Sequence, residues 1–189
     1  YEYDETGTVI IYLDAEGNPI IRSDGYSTIV RTQVGGRASD DFYYDLNGQQ
    51  VQCSGGYYGI HCEYNAEGQS TSLTFLDEDG HAVCISSDCA GVTYQRDGNG
   101  TVVGEQYFDT DGNPVRSSLG QYGELYQRNE QGYIGQITYL GADGKTTPTN
   151  AGYTILKRTY HRDGTADTDM YFDANGNPKA LSKGQYGIK

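Results

Sequence analysis

Tyr107-Phe108-Asp109-Thr110-Asp111-Gly112-Asn113-Pro114-Val115 returns almost unchanged as Tyr12-Leu13-Asp14-Ala15-Glu16-Gly17-Asn18-Pro19-Ile20 and as Tyr171-Phe172-Asp173-Ala174-Asn175-Gly176-Asn177-Pro178. Weaker copies begin at Tyr43, Phe75 and Tyr139. The aromatic starts at 12, 43, 75, 107, 139 and 171 lie 31, 32, 32, 32 and 32 residues apart. A fixed period of this length signals a repeat array, in which each unit buries its apolar face against its neighbours. The 189 residues read as one array of about six 32-residue units, beginning and ending inside a unit.

Each unit carries glycine-marked turns between short extended runs. The first column is Gly17, Gly48, Gly80, Gly112, Gly144 and Gly176, mostly in the form Asp-x-[Asp/Asn/Glu]-Gly. Glycine after Asp or Asn is a strong short-range hairpin signal, because glycine takes positive φ at no steric cost. A second column (Gly36, Gly68, Gly100, Gly132, Gly164) lies 12 residues ahead of the first. A third (Gly25, Gly56, Gly120, Gly152, Gly184, with Asp88 standing in once) is followed by Tyr26, Tyr57, Tyr122, Tyr153 or Tyr186. The place after the first turn holds Ile20, Val51, Val83 and Val115, then fades to Thr147 and Lys179. Alternation is moderate, as in Leu73 and Phe75, and no segment keeps a 3.6-residue apolar period. The pattern predicts an all-β fold: an elongated solenoid of stacked β-hairpins, two per unit.

Charge is uneven. Residues 1–138 hold 21 acidic residues against 6 Arg, a balance of −15, whereas residues 139–189 hold 5 Asp against 7 Lys and Arg, a balance of +2. An acidic chain without a basic stripe argues against nucleic acid and anionic membranes as partners. No apolar run is long enough to cross a membrane as a helix. The chain starts at Tyr1 without Met and reads as a processed protein or an excerpt. Cys53, Cys62, Cys84 and Cys89 lie in two neighbouring units, and an even count in such a chain favours disulfides and an oxidising compartment. Of the three possible connectivities, Cys53–Cys62 with Cys84–Cys89 is favoured, because each pair flanks one loop; four buried thiols are the alternative.

The Tyr-Phe-Asp-x-x-Gly-Asn-Pro core resembles the aromatic–glycine β-hairpin repeats of bacterial surface proteins, of the glucan-binding, choline-binding and clostridial-toxin types. Segments such as Tyr1-Glu2-Tyr3-Asp4-Glu5-Thr6-Gly7 are similar to bacterial YD repeats. The resemblance implies an extracellular bacterial setting and a hairpin solenoid. Members that bind choline or glucans use aromatic cages, usually with Trp, and this chain has none.

Candidate chemistry is sparse. Asp109, Asp111 and Asn113 alternate as oxygen donors like the opening of a calcium loop, but Gly112 falls at the fourth position and no Glu closes the loop. The competing reading is an Asp that caps its own turn. Cysteine and histidine spacings match no zinc frame, and no nucleophile elbow or phosphate loop is present. An enzyme is not expected, nor is a cofactor. Tyr26, Tyr57, Tyr122, Tyr153 and Tyr186 could stack on a sugar ring or ladder against one another in the core. Asn99 is the acceptor of the single Asn-x-Ser/Thr sequon. The expected function is that of a secreted or cell-surface structural repeat, a fibre subunit or stalk. Its expected partners are copies of itself, head to tail, or further repeats; the alternative is a module that binds surface polysaccharide.

Overall fold

An Asp placed three residues ahead of a turn glycine can cap that turn with its own carboxylate. Asp109 Oδ1 accepts the Asp111 N–H at 2.9 Å and the Asn113 N–H at 2.8 Å, and the Gly112 N–H donates to the Asp109 carbonyl at 3.1 Å. Gly112 sits at φ 80°, where a side chain would be strained. Asp14, Asp45, Asp77 and Asp173 make the same pair of bonds. Gly141 takes the Asp place once, and there Asp143 Oδ1 accepts the Lys145 N–H at 3.0 Å beside the backbone bond from the Gly144 N–H to the Gly141 carbonyl.

The computed structural model describes residues 2–3, 7–85 and 88–189. Among them the structure is all-β, and no helix is long and apolar enough to cross a membrane. The chain divides into two compact units, Tyr1–Ile85 with Cys89–Val92, and chiefly Thr93–Lys189. The first unit contains β1 (Glu2–Tyr3), β2 (Thr8–Ile11), β3 (Thr28–Val34), β4 (Arg37–Tyr44), β5 (Gly59–Tyr64) and β6 (Ser70–Leu76), each antiparallel to the next. β7 (Gly91–Arg96) carries the chain onward. The second unit contains β8 (Val102–Phe108), β9 (Gly123–Arg128), β10 (Ile134–Leu140), β11 (Ile155–Tyr160), β12 (Ala166–Phe172) and β13 (Gly187–Ile188), again antiparallel in chain order.

Long hairpins such as β5–β6 and β11–β12 carry a register shift beside their turn, which adds local twist. The second hairpin expected in each unit is reduced to one bridge, as at Leu76↔Ala82 and Phe108↔Pro114. Two consecutive tight turns leave no length for a ladder there.

The connecting loops bring a tyrosine back onto the strand aromatics. In the first unit Tyr12, Tyr26, Tyr43, Tyr57 and Phe75 form a file of rings, with centroids 6.1, 4.4, 5.9 and 4.8 Å apart. Tyr26, Ile29, Tyr43 and Cys53 are buried within it. In the second unit Tyr139, Tyr153 and Tyr171 repeat the file at 5.5 and 4.7 Å, over Leu156.

A separate set of strand glycines permits close strand approach. A Cβ at Gly59 would lie 2.5 Å from the Asp41 carbonyl oxygen, and one at Gly123 would collide with the Glu105 carbonyl oxygen. Thr28 and Ile155 occupy the same place elsewhere, so the tight approach is local to the glycine-bearing strands. Around Gly112 a Cβ would meet nothing within 4 Å. Gly123→Ala is therefore expected to cost about 3 kcal/mol through overlap with backbone, and Gly112→Ala about 1 kcal/mol through its left-handed φ. Urea denaturation of the two variants checks the order.

Candidate functional site

Tyrosines that look equivalent along the sequence occupy two different places. Tyr26, Tyr57 and Tyr153 directly follow the turn glycine, and their carbonyls accept the Arg22, Cys53 and Thr149 N–H groups at 2.8 Å. Tyr122 and Tyr186 come one residue later. Tyr122 instead donates its N–H to Leu140, as Ser27 does to Tyr44 and Thr154 to Phe172. One residue in an extended segment turns a side chain to the other face. Tyr26 and Tyr153 are buried core rings, Tyr57 and Tyr122 are half-buried, and Tyr186 is 49 % exposed. The residues that share the Tyr26 place in the other loops are Cys89, Gln121 and Gln185, whose N–H…O bonds match.

The structure contains no disulfide among Cys53, Cys62, Cys84 and Cys89, and so does not support the bridges expected from the even count. Cys53 is buried among the rings beside Tyr57, while Cys62 lies three residues into β5, near Arg31, Asp41 and Tyr64. The Cys53–Tyr57 loop is closed instead by Cys53 N–H to Tyr57 O and Gly56 N–H to Cys53 O, at 2.8 and 2.9 Å. Cys84 is exposed, and Cys89 directs its sulfur at the Gly91 carbonyl, 3.4 Å away. Asp88, which replaces glycine in that turn, takes φ 59°.

The Asp109 turn satisfies its own carboxylate. Amide donors fill Oδ1, and these bonds, led by the Asn113 N–H, hold the carboxyl below its ordinary range. Asn113 Nδ2 reaches Oδ2 at 3.4 Å, and Asp111 is exposed. Among the described residues no group of three His, Cys, Asp or Glu converges in a metal-ligating cluster. Asn99 is exposed on its turn, with its N–H bonded to Asp97 Oδ1 at 2.9 Å.

One polar constellation stands out, and the sequence reading missed it. Glu105 on β8 and Glu124 on β9 are direct cross-strand partners. By position in the strand, Glu124 stands where Ile60 and Leu156 stand, and Glu105 where Leu73 and Ile137 stand. Gln121 fills the ring place of Tyr26 and Tyr153. Tyr107 donates its hydroxyl to Glu105 Oε1 at 2.9 Å, and Gln121 Nε2 donates to Glu124 Oε1 at 2.9 Å. Gln121 is 2 % exposed, and its Oε1 has no hydrogen-bond partner among the described residues. Burial, then the charge of Glu105, pushes the Glu124 carboxyl up, against hydrogen bonds from Tyr126, Gln121 and Tyr107. Burial likewise drives Tyr107 and Tyr126 well above the ordinary phenol range. Elsewhere this strand position is charge-balanced: Asp41 pairs with Arg31 at 2.7 Å and Asp169 with Arg158 at 2.6 Å. No ion pair among the described residues includes Glu105 or Glu124. The signal available in the sequence was the strand alignment, which sets Glu124 against Ile, Val and Leu.

No family model matches the chain, and no curated protein matches it. Among solved structures, an alternansucrase in complex with isomaltononaose is 19 % identical over 90 % of this chain and 16 % of that chain, with a TM-score of 0.12. A likeness that loose carries no inference about fold or activity.

Two outcomes follow from these placements. Tyr153→Ala is expected to cost about 3–5 kcal/mol by emptying a core ring site, whereas Tyr186→Ala stays within about 0.5 kcal/mol; thermal melts read both. The raised Glu124 carboxyl means that the unfolded chain ionises first as pH rises. Stability is thus fully present below the ordinary glutamate range and falls as pH climbs through the folded-state value. Glu105, Tyr107, Tyr126 and Tyr139 are the titratable groups that face it. In metal-free buffer Glu124→Gln is expected to flatten that fall, as measured by urea midpoints across the acid range.

Proposed function

We propose that this chain is an extracellular bacterial structural repeat protein, a subunit of a head-to-tail β-hairpin fibre or surface stalk. The 32-residue spacing and the recurrence of the same turn bonds support a solenoid of about six units. The observation that carries the assembly reading is a contrast within one column. Leu76 and Leu140, each following a core aromatic, are 5 % exposed, while Leu13 in the same place is 53 % exposed. Ile11 and Ile21 beside it are also exposed, and so are Tyr186 and Ile188 near the last strand. Among the described strands β1 pairs only with β2 in the first unit and β13 only with β12 in the second, and strand edges with apolar neighbours recruit further strands. The −15 and +2 balances of residues 1–138 and 139–189 favour contact between unlike ends. Such heterologous contact extends into a filament when it does not close.

Sedimentation velocity and negative-stain microscopy at low salt test this. The expected result is concentration-dependent growth into filaments, weakened by salt and abolished by Leu13→Asp with Ile11→Asp. A chain that stays monomeric at every concentration defeats the proposal.

A second reading, binding of surface polysaccharide, has one feature in its favour. A cleft of about 500 Å³ in the second unit is lined by Thr93, Tyr94, Gln95, Glu105, Gln106 and Leu125, amides and hydroxyls beside apolar surface. Glycan-array binding that is lost in Gln95→Ala and Gln106→Ala variants would favour it over the structural reading.

A further inference from the structure

The polar insertion at β8 and β9 has too many acceptors. Glu105 and Glu124 face one another across the strands, and the donors that reach them are the hydroxyls of Tyr107 and Tyr126 and Gln121 Nε2, none of them charged. An ionised carboxylate only accepts, and each offers about four lone-pair directions. Gln121 adds a third acceptor: its Oε1 is unpartnered among the described residues on a side chain 98 % buried, in the same planar amide that holds Glu124. A buried amide oxygen left unpaired costs about 1–3 kcal/mol unless something positive or hydrogen-bonding meets it. The Arg that balances this position at Asp41 and Asp169 is replaced here by Tyr94 and Tyr126. What the constellation lacks is positive charge, and the acceptors it presents are all hard oxygens.

We infer that Glu105, Glu124 and the Gln121 side-chain carbonyl form a binding site for a hard divalent cation, of which calcium is the type. Both glutamates are half-buried rather than sealed, so an ion and its remaining waters can enter. A flexible, all-oxygen set with two carboxylates suits calcium better than zinc or copper, which call for imidazole or thiolate. Tyr107 and Tyr126 orient the carboxylates. The turn aspartates do not compete, because their inner oxygens are already filled by amide donors. The inference stands apart from how the chain assembles.

The chain has 19 Tyr and no Trp, so tyrosine-sensitised terbium luminescence is a direct probe of an ion beside Tyr107 and Tyr126. The expected result is saturation at one terbium per chain, with displacement by calcium but not by sodium at equal ionic strength. Glu105→Gln and Glu124→Gln should each weaken terbium and calcium binding by about tenfold or more, the loss of one charged ligand. Asp109→Asn should leave binding unchanged. Gln121→Tyr with Glu124→Leu restores the residues found at these places elsewhere, so this variant should fold, as read by circular dichroism, and lose the calcium-dependent rise in melting temperature. Binding that survives in the Glu→Gln variants, or that vanishes with Asp109→Asn, overturns the inference. So does a melting temperature that rises on acidification but not with calcium, which would make a shared proton the missing charge.

Discussion

Everything in this structure depends on interleaving two sets of aromatic rings. One set stands on the strands (Tyr43, Tyr139, Tyr171) and the other is returned by the loops (Tyr26, Tyr57, Tyr153). With 35 % hydrophobic residues the chain has little else to bury. A tyrosine contributes roughly 150–250 Å² and about 0.5–1.5 kcal/mol per ring pair beyond that area. Burial raises the phenols of Tyr26, Tyr43, Tyr57, Tyr139 and Tyr171, with Tyr57 pushed up to about 12, first by desolvation and then by Cys53. They remain donors, and the file stays free of buried charge.

The same interleaving explains what a polar substitution does. Where the Tyr26 place holds tyrosine, the file passes through the loop from strand to strand. Where it holds Gln121, the file is interrupted and an amide lies in a slot shaped for a ring. Charges on that face are tolerated when they are matched, as in the bidentate Arg31–Asp41 and Arg158–Asp169 pairs. A buried charge without a partner is the costly case. Glu105 and Glu124 therefore stand out from the matched pairs at the corresponding strand positions.

Much of the backbone was legible. Asp88 was placed in a glycine column from spacing alone, and it is the non-glycine residue with positive φ among those described. The Asp caps were readable too, because each turn closes within five residues. The cysteines were not. Their even count suggested bridges, but the loop around Cys53 is already closed by backbone bonds, and Cys62 belongs to a strand position beside Arg31.

Local chemistry is what the sequence by itself determined: the period, the turns and the antiparallel strands between them. Their causes are preferred φ values and hydrogen bonds spanning a few residues. Only the tertiary structure decided which side chains share a face. Tyr122 and Gln121 differ by one position, yet one follows the backbone pairing of Ser27 and the other takes a core ring's place. Face depends on register between paired strands, such as Gly104 opposite Leu125 and Gln106 opposite Gly123, and a shift of one inverts it. For the same reason, the opposition of Glu105 to Glu124 became visible only once β8 and β9 were aligned.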